Sequence, residues 1–260
     1  MIRVHNLSKH YEGVDAVRSV SLEVKKGETL ALIGTSGSGK TTLLKMLNGL
    51  IPRSSGDIFI RGRSIDDQPM VELRRSMGYV IQDVGLFPHY TVARNIGVMY
   101  EVQGKKYNQK HIGQLLDLVG VARDYMSFYP DQLSGGQQQR IGIARAMANN
   151  PDILLMDEPF GALDSITRRE LQQEFVHLPG IHAKAVVIVT HDLDEAALLG
   201  DCICLMDHGE IQQMSDLRTL VFSPANHFVE EFISGNRQQL EWRAITLSDQ
   251  LPFLTETGEG

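Results

Sequence analysis

The stretch Gly34-Thr35-Ser36-Gly37-Ser38-Gly39-Lys40-Thr41-Thr42 decides the fold of this chain. It fits the spacing G-x-x-x-x-G-K-[ST], with an apolar run at residues 30–33 before it and a predicted helix over residues 40–50 after it. Glycines allow consecutive backbone N–H groups to turn toward phosphate oxygens, and the helix start adds the positive end of its dipole. Lys40 would supply a charge for the β- and γ-phosphates, and the Thr41 hydroxyl a ligand for Mg²⁺. The stretch therefore predicts a nucleotide-binding P-loop.

A second glycine-containing segment, Leu133-Ser134-Gly135-Gly136-Gln137-Gln138-Gln139-Arg140, lies far downstream. It precedes a predicted helix over residues 137–148, so its backbone N–H groups would form another cradle for an anion. Taken alone, Ser-Gly-Gly before a helix is an ordinary capped turn. A two-fold dimer would give it a ligand, because each chain could then place this second cradle over the γ-phosphate held by its partner. We therefore predict that Ser134, Gly135, Gly136 and Gln137 contact nucleotide across a dimer.

The apolar pattern predicts an α/β fold. Residues 153–156, 186–189 and 202–206 are almost continuously apolar, as is typical of parallel strands buried on both faces. Alternating apolar residues at Ile2, Val4, Val20, Leu22 and Val24 indicate half-buried strands near the start. Residues 82–150 are largely helical in pattern, with helices predicted over 95–102 and 111–119. A further helix is predicted to start at Ser223-Pro224, with two phenylalanines one turn apart behind it.

Composition narrows the function classes. The 260 residues carry a formal net charge of −7 and show no basic stripe, which argues against a nucleic-acid surface. Neither a signal peptide nor an apolar run long enough to span a membrane is visible, so we expect the chain to be neither exported nor membrane-spanning. The two cysteines, Cys202 and Cys204, are expected to be reduced core residues, with a metal pair as the alternative.

Polar residues follow two of the predicted buried strands. Asp157 and Glu158 end the first, and His191 follows the second. Such positions line the ligand-binding edge of an open α/β sheet. Asp157 faces the P-loop and is a candidate Mg²⁺ ligand, whereas Glu158 points elsewhere by strand alternation and is a candidate general base for an attacking water. An acidic pair at a strand end is otherwise often merely solvated, and a histidine there is often structural.

Together these motifs resemble the nucleotide-binding subunits of ABC transporters, over roughly residues 1–235. The resemblance implies ATP and Mg²⁺ as cofactors and a RecA-like P-loop NTPase core with an N-terminal antiparallel β subdomain and a helical signature lobe at about 83–150. It implies that Gln82 contacts Mg²⁺ and the attacking water, and that His191 approaches the γ-phosphate. Glu158-Pro159-Phe160-Gly161-Ala162-Leu163-Asp164 resembles the Walker-B to D-loop segment of importers, which would place Asp164 at the dimer interface. Tyr11 would stack on adenine, with packing into the N-terminal sheet as the alternative.

The resemblance also implies partners. A homodimer, or a pair with a second ABC ATPase, would sit peripherally on the cytoplasmic face of the membrane, bound to separate permease subunits and served indirectly by a solute-binding protein. Residues 83–90, rich in aromatics, could line a groove for a helix of the permease, or could instead be packed core. Chromosome-maintenance ATPases carry long coiled coils and translation-factor ATPases two P-loops, neither of which is visible. A soluble Fe–S assembly ATPase stays conceivable.

Finer resemblance suggests the cargo. Residues 72–82, 86–89 and 164–168 look like the ATPases that import glycine betaine, carnitine or choline, with a methionine or other amino-acid importer as the alternative. Many of those ATPases carry a paired CBS module at the C-terminus. Residues 236–260 are too few for such a module, so we expect a short tail that ends loosely over residues 255–260.

Overall fold

The structure is a computed structural model, and it describes residues 1–161 and 163–245. Its strands are β1 Ile2–Tyr11, β2 Val14–Val24, β3 Thr29–Gly34, β4 Ser55–Ile60, β5 Arg63–Ser64, β6 Met77–Val80, β7 Ile153–Asp157, β8 Ala185–Val189, β9 Cys202–Asp207 and β10 Glu210–Ser215. Its helices are α1 Lys40–Leu47, α2 Met70–Arg75, α3 Val92–Val102, α4 Gln109–Leu118, α5 Gly135–Met147, α6 Ser165–Val176, α7 Leu193–Leu199, α8 Leu217–Phe222, α9 His227–Ser234 and α10 Arg237–Ala244. Helices and strands alternate from α5 to β9, as is typical of an α/β fold.

The larger sheet carries the nucleotide-binding motifs. Within the described residues its strand order is β10-β9-β3-β8-β7-β6, and every neighbouring pair is parallel except β9 with β10. Strands β7 and β8 are buried along their whole length because helices cover both faces of the sheet. The register pairs Leu32 with Val189 and Asp157 with Val189, so β3, β7 and β8 end at the same edge. The predicted parallel core is confirmed.

The smaller sheet is antiparallel. Among the residues described, its order is β2-β1-β4-β5, and Ile2 on β1 pairs with Val24 on one side and Ile60 on the other. The alternating apolar residues of these strands are buried in one cluster with Leu43 and Leu44 of α1. This packing explains the period-two pattern near the start of the chain, and it places the small sheet against the P-loop helix.

The segment between β6 and β7 is helical, as its sequence pattern predicts. Helix α3 begins at Val92, earlier than predicted, because the Thr91 side chain accepts a hydrogen bond from the Arg94 N–H at 3.3 Å. Helix α5 begins at Gly135, two residues earlier than predicted, behind the cap at Ser134. Helix α1 ends at Leu47, short of the predicted residue 50. The boundaries therefore follow the caps more closely than the apolar period.

The predicted helix start at Ser223-Pro224 is wrong. Ser223 is the C-terminal cap of α8, and α9 begins at His227 behind Asn226, whose side chain accepts a hydrogen bond from the Val229 N–H at 3.0 Å. Serine and asparagine are both strong N-caps, so local preference alone could not choose between them. The two phenylalanines of α9, Phe228 and Phe232, pack on the core with ring centroids 6.0 Å apart.

Residues 237–244, where the sequence shows no strong pattern, form helix α10. Leu240 is fully buried, and the Arg243 guanidinium donates a hydrogen bond to the Asp194 carbonyl at 2.9 Å. This part of the predicted tail is therefore packed against the core, through α7 and α8. The predicted loose end at residues 255–260 lies outside the described residues.

Burial of α10 predicts a clear difference between two neighbouring substitutions. Leu240→Ala should lower the free energy of unfolding by about 2–4 kcal/mol, because it removes a fully buried side chain and leaves a cavity. Trp242→Ala is the control: that side chain is 69% exposed, and its loss should change stability by no more than about 0.5 kcal/mol. Urea unfolding followed by circular dichroism measures both. Equal effects would show that α10 does not pack as described.

Candidate functional site

The P-loop connects β3 to α1 and can be built only with glycine at its two ends. Gly34 has φ 149° and a Cβ there would lie 1.9 Å from the Met206 carbonyl oxygen. Gly39 has φ 98°, and its Cβ would lie 2.2 Å from the Ala16 carbonyl oxygen. Both conformation and space therefore require glycine. Ser36 and Gly37 lie at the exposed tip of the loop, Ser38 is buried, and Thr42 lies half-buried in the first turn of α1.

Lys40 lies inside this loop. Its ammonium donates hydrogen bonds to the Gly34 carbonyl at 3.0 Å, the Thr35 carbonyl at 2.7 Å and the Ser38 hydroxyl at 2.9 Å. Burial lowers the pKa of Lys40 from its ordinary value, and Glu158 and Asp157 oppose that shift. A buried cation at the start of a helix is suited to phosphate, because the helix dipole and the charge attract the same anion.

The P-loop is also held by a contact between residues that are far apart in the sequence. The Thr35 hydroxyl donates a hydrogen bond to the Asp207 carboxylate at 2.7 Å. Asp207 is the last residue of β9, in the strand next to β3. Proximity in the sheet, not proximity in the chain, brings these two residues together.

Thr41 and Asp157 form the oxygen pair predicted for a metal. The Thr41 hydroxyl donates to the Asp157 carboxylate at 2.9 Å, which joins the first turn of α1 to the end of β7. Burial raises the pKa of Asp157 from its ordinary value, and the hydrogen bond from Thr41 opposes this. A hydroxyl and a carboxylate side by side fit Mg²⁺, which prefers hard oxygen ligands and keeps several waters.

The three predicted catalytic side chains meet next to this pair. Gln82 Nε2 donates to Glu158 Oε2 at 3.2 Å, and His191 Nδ1 lies 3.5 Å from the same oxygen. Glu158 has φ 46°, and its N–H donates to the Val189 carbonyl at 2.9 Å, so the chain turns sharply after β7. The catalytic roles of all three residues stay predictions.

The second glycine segment lies apart from the first. Ser134 and Gln137 form a capping box: the Ser134 hydroxyl accepts from the Gln137 N–H at 3.3 Å, and the Gln137 side chain accepts from the Ser134 N–H at 2.9 Å. A Cβ on Gly135 would meet nothing within 4 Å, whereas one on Gly136 would lie 2.8 Å from Thr167. Over residues 1–161 and 163–245, no hydrogen bond or ion pair joins residues 134–137 to the P-loop.

Two further predicted nucleotide contacts are exposed. Tyr11, at the end of β1, is 49% exposed, with the Lys9 ammonium 4.8 Å from its ring centroid. Asp164 caps α6 by accepting hydrogen bonds from the N–H groups of Thr167 at 3.1 Å and Ile166 at 3.2 Å. The hydrogen bonds from Thr167 hold the pKa of Asp164 below its ordinary value. The nucleotide-contacting roles of Tyr11 and Asp164 stay predictions.

The structure also buries a carboxyl for which the sequence carries no signal. Glu195 on α7 is only 4% exposed, and its carboxyl accepts a hydrogen bond from Gln172 Nε2 at 3.0 Å. Burial, reinforced by the nearby Asp192 charge, raises the pKa of Glu195 to about 8. The carboxyl is therefore neutral over most of the physiological range.

The loop after Gln82 is held by side chains of the helical lobe. Asn95 is fully buried; its side chain accepts from the Phe87 N–H at 2.7 Å and donates to the carbonyls of Phe87 at 3.1 Å and Tyr90 at 3.0 Å. The Arg145 guanidinium donates to the carbonyls of Val84 and Gly85, both at 2.6 Å. Phe87 is left 41% exposed.

Phe87 lines a cavity of about 340 Å³ between this lobe and the large sheet. The wall is mostly apolar, and it includes Tyr79, Phe87, Val98, Met99, Val102 and Arg145. Residues 83–90 are thus neither fully packed core nor a free surface: their backbone is anchored, and Phe87 opens onto a groove.

Comparison with known proteins agrees with this geometry. Residues 17–161 match the ABC transporter family, and the chain belongs to that family. It is 49% identical over 240 residues to the glycine betaine/carnitine/choline transport ATP-binding protein OpuCA of Bacillus subtilis, covering 91% of this chain and 63% of that one. It is 45% identical over 249 residues to the glycine betaine uptake system ATP-binding protein YehX of Escherichia coli, covering 95% and 80%. The predicted resemblance to osmoprotectant importer ATPases is confirmed.

A solved structure shares the fold. The dimeric post-hydrolysis state of the ATP-binding cassette MJ0796 bound to ADP and Pi superposes on this chain with a TM-score of 0.75 at 33% sequence identity. The superposition covers 83% of this chain and 98% of that one. The predicted fold class is confirmed, and the chain has the nucleotide-binding fold of the family. It spans 63% of the length of OpuCA. Among the residues that the structure describes, none of the helices combines the length and the hydropathy needed to span a bilayer.

The neutral Glu195 predicts a pH dependence of stability. Its pKa rises from about 4.5 in the unfolded chain to about 8 in the folded one, so its stabilising contribution is complete below pH 4.5 and is lost as the pH rises through 8. Between pH 5 and pH 9 the wild type should therefore lose at least about 2 kcal/mol more stability than Glu195→Gln, which cannot ionise. Urea unfolding at both pH values measures the difference. Glu170→Gln, at an exposed position on α6, should follow the wild type; identical pH slopes in all three proteins would contradict the assignment.

Proposed function

We propose that this chain is the ATP-hydrolysing subunit of an importer for quaternary-amine osmoprotectants such as glycine betaine, carnitine or choline. The observation that carries the proposal is the meeting of Gln82, Glu158 and His191 beside the Thr41–Asp157 pair. The family and the relatives named above support it. In this proposal the chain is peripheral to the cytoplasmic face of a membrane, where separate permease subunits carry the solute.

Different residues of the site would bind the phosphates, bind Mg²⁺ and activate the attacking water. The P-loop N–H groups and the Lys40 ammonium would hold the β- and γ-phosphates, and Thr41 and Asp157 would hold Mg²⁺. When bound, Mg²⁺ supplies positive charge to the phosphate oxygens. Glu158 would accept the proton of the attacking water, which Gln82, hydrogen-bonded to the same carboxylate oxygen, would help to orient. His191, whose side chain is 60% exposed, would donate a hydrogen bond toward the γ-phosphate.

A dimer would complete each site. The second cradle, residues 134–137, begins with the exposed Ser134 and Gly135 at the start of α5 and is separate from the P-loop, so one chain would offer it to the nucleotide of another. Asp164 would lie at this interface, and Tyr11 would stack on adenine with the exposed part of its ring. The dimeric MJ0796 structures support a homodimer, or a pair with a second ABC ATPase.

Removal of the base tests the mechanism. Glu158→Gln should lower ATP turnover by at least ~10²-fold, because the amide cannot accept the proton of the attacking water. Binding of Mg-ATP should persist, since the P-loop and the Thr41–Asp157 pair are unchanged, and an ATP-bound dimer should accumulate on gel filtration. Glu170→Gln is the matched control and should retain wild-type turnover. Normal steady-state hydrolysis by Glu158→Gln would remove Glu158 from this role.

The groove beside Gln82 supports a permease partner. Its apolar wall, the exposed ring of Phe87 and the anchored backbone of residues 83–90 suit an amphipathic helix laid into a groove. The wall includes Tyr79 of β6, so a permease helix bound there would contact the strand that leads to Gln82, which donates to the Glu158 carboxylate. Solute transport and hydrolysis could be coupled by this short path.

Reconstitution tests the partner and the cargo together. The assembled transporter in liposomes should take up labelled glycine betaine or choline, and Phe87→Asp should lower uptake about tenfold or more by placing a charge in an apolar contact. ATP affinity of that variant should stay within about twofold of wild type, because Phe87 lies outside the phosphate cradle. Trp242→Asp, at an exposed aromatic on α10, is the control and should transport normally.

The outcomes separate the alternatives. Uptake of methionine and not of quaternary amines would replace the osmoprotectant with an amino acid while leaving an importer. Wild-type uptake by Phe87→Asp would exclude the groove as the docking site. Hydrolysis that never responds to permease or loaded binding protein would favour a non-transport ABC ATPase.

A further inference from the structure

Arg168, in the first turn of α6, binds three carbonyls of the loop that leads from Glu158 to Asp164. Its Nε donates to the Phe160 carbonyl at 3.2 Å, and Nη2 donates to the carbonyls of Leu163 at 2.9 Å and Gly161 at 3.4 Å. The loop is irregular, and within it the Leu163 N–H donates a hydrogen bond to the Phe160 carbonyl at 3.3 Å. The Arg168 guanidinium, a rigid planar fork of donors, adds a second hydrogen bond to that carbonyl and also reaches the other two.

The opposite side of the same guanidinium faces the residue after His191. Arg168 Nη1 lies 3.9 Å from Asp192 Oδ2. Asp192 is itself held: its other carboxylate oxygen caps α7 by accepting from the N–H groups of Asp194 at 2.9 Å and Glu195 at 3.2 Å. Its own N–H donates to the Thr190 hydroxyl at 2.9 Å. The position of Asp192 is therefore set by α7 and the end of β8.

Arg168 thus connects two chain segments that reach the site from different strands. One follows β7 and carries Glu158, and the other follows β8 and carries His191. The Glu158 and His191 side chains lie 3.5 Å apart, and Arg168 is on α6, the helix that Asp164 caps. Its side chain is 28% exposed, whereas the adjacent Arg169 is exposed to solvent.

We propose that Arg168 is a positioning residue for ATP hydrolysis, which fixes the Glu158–Asp164 loop and the His191–Asp192 turn in one relative geometry. The inference rests on the proposed function, since it assigns to Arg168 the alignment of that reaction. Arg168 touches no reacting atom. Its effect is on the placement of Glu158 and His191, where a displacement of about 1 Å is enough to cost ~10² in rate.

Steady-state kinetics of the full chain test the alignment. Arg168→Met should lower kcat about tenfold or more, while KM for ATP and the affinity for a non-hydrolysable analogue stay within about twofold. Arg168→Lys should recover part of kcat, because an ammonium keeps the charge near Asp192 but cannot reach three carbonyls. Arg169→Met removes the same charge from the next residue of the same helix and should behave as wild type.

Amide hydrogen exchange on the nucleotide-free chain provides a readout that does not depend on hydrolysis. In Arg168→Met, peptides covering residues 158–164 and 190–195 should both exchange about tenfold faster or more than in the wild type. In Arg169→Met, both peptides should exchange at the wild-type rate. Faster exchange in the first segment alone would overturn the proposed link between the two. So would wild-type kcat in Arg168→Met.

The two proposals fail differently. If the wild-type chain hydrolyses no ATP, alone or assembled with a permease, the proposed function is wrong. Amide hydrogen exchange of Arg168→Met in residues 158–164 and 190–195 would still decide whether Arg168 links the two segments. If Arg168→Met does not fold, Arg168→Lys decides: a lower kcat with unchanged KM and faster exchange in both segments supports the inference, and wild-type behaviour overturns it.

Discussion

The register of the parallel strands is the constraint on which the site depends. Because Leu32 and Asp157 both pair with Val189, the carboxyl ends of β3, β7 and β8 lie side by side. After β3 the chain forms the P-loop, at the end of β7 lies the acidic pair, and after β8 comes the turn to His191. A sheet shifted by one residue would turn the side chain of Asp157 to the other face, away from Thr41.

The site concentrates buried charge of both signs. Burial lowers the pKa of Lys40 and raises that of Asp157, and each group lies in the field of the other. Such an arrangement is costly to fold around unless each charge is hydrogen-bonded, as both are here. The same desolvation makes the charges effective toward phosphate and Mg²⁺, because electrostatic interactions are stronger where water is excluded.

Local sequence preference does not decide where a helix begins when two equally good N-cap residues lie close together. Ser223 and Asn226 are both suitable N-caps, and the packing of α8 and α9 selects the second. Helix α10 has few apolar residues, so its sequence shows no strong period, yet Leu240 and Ala244 are buried by neighbouring helices. In both places the deciding interactions come from elsewhere in the chain.

The sequence by itself determined the P-loop, the parallel α/β core, the antiparallel N-terminal strands and the family, because each is encoded in a short run of residues with its own period or spacing. Tertiary structure alone decided which side chains meet. Gln82 and Glu158 are 76 residues apart, and Thr35 and Asp207 are 172 apart. In the sequence, Arg168 is one of several charged residues of α6, and only the folded loop brings three carbonyls to it. Such contacts depend on long-range packing, for which a local pattern carries no signal.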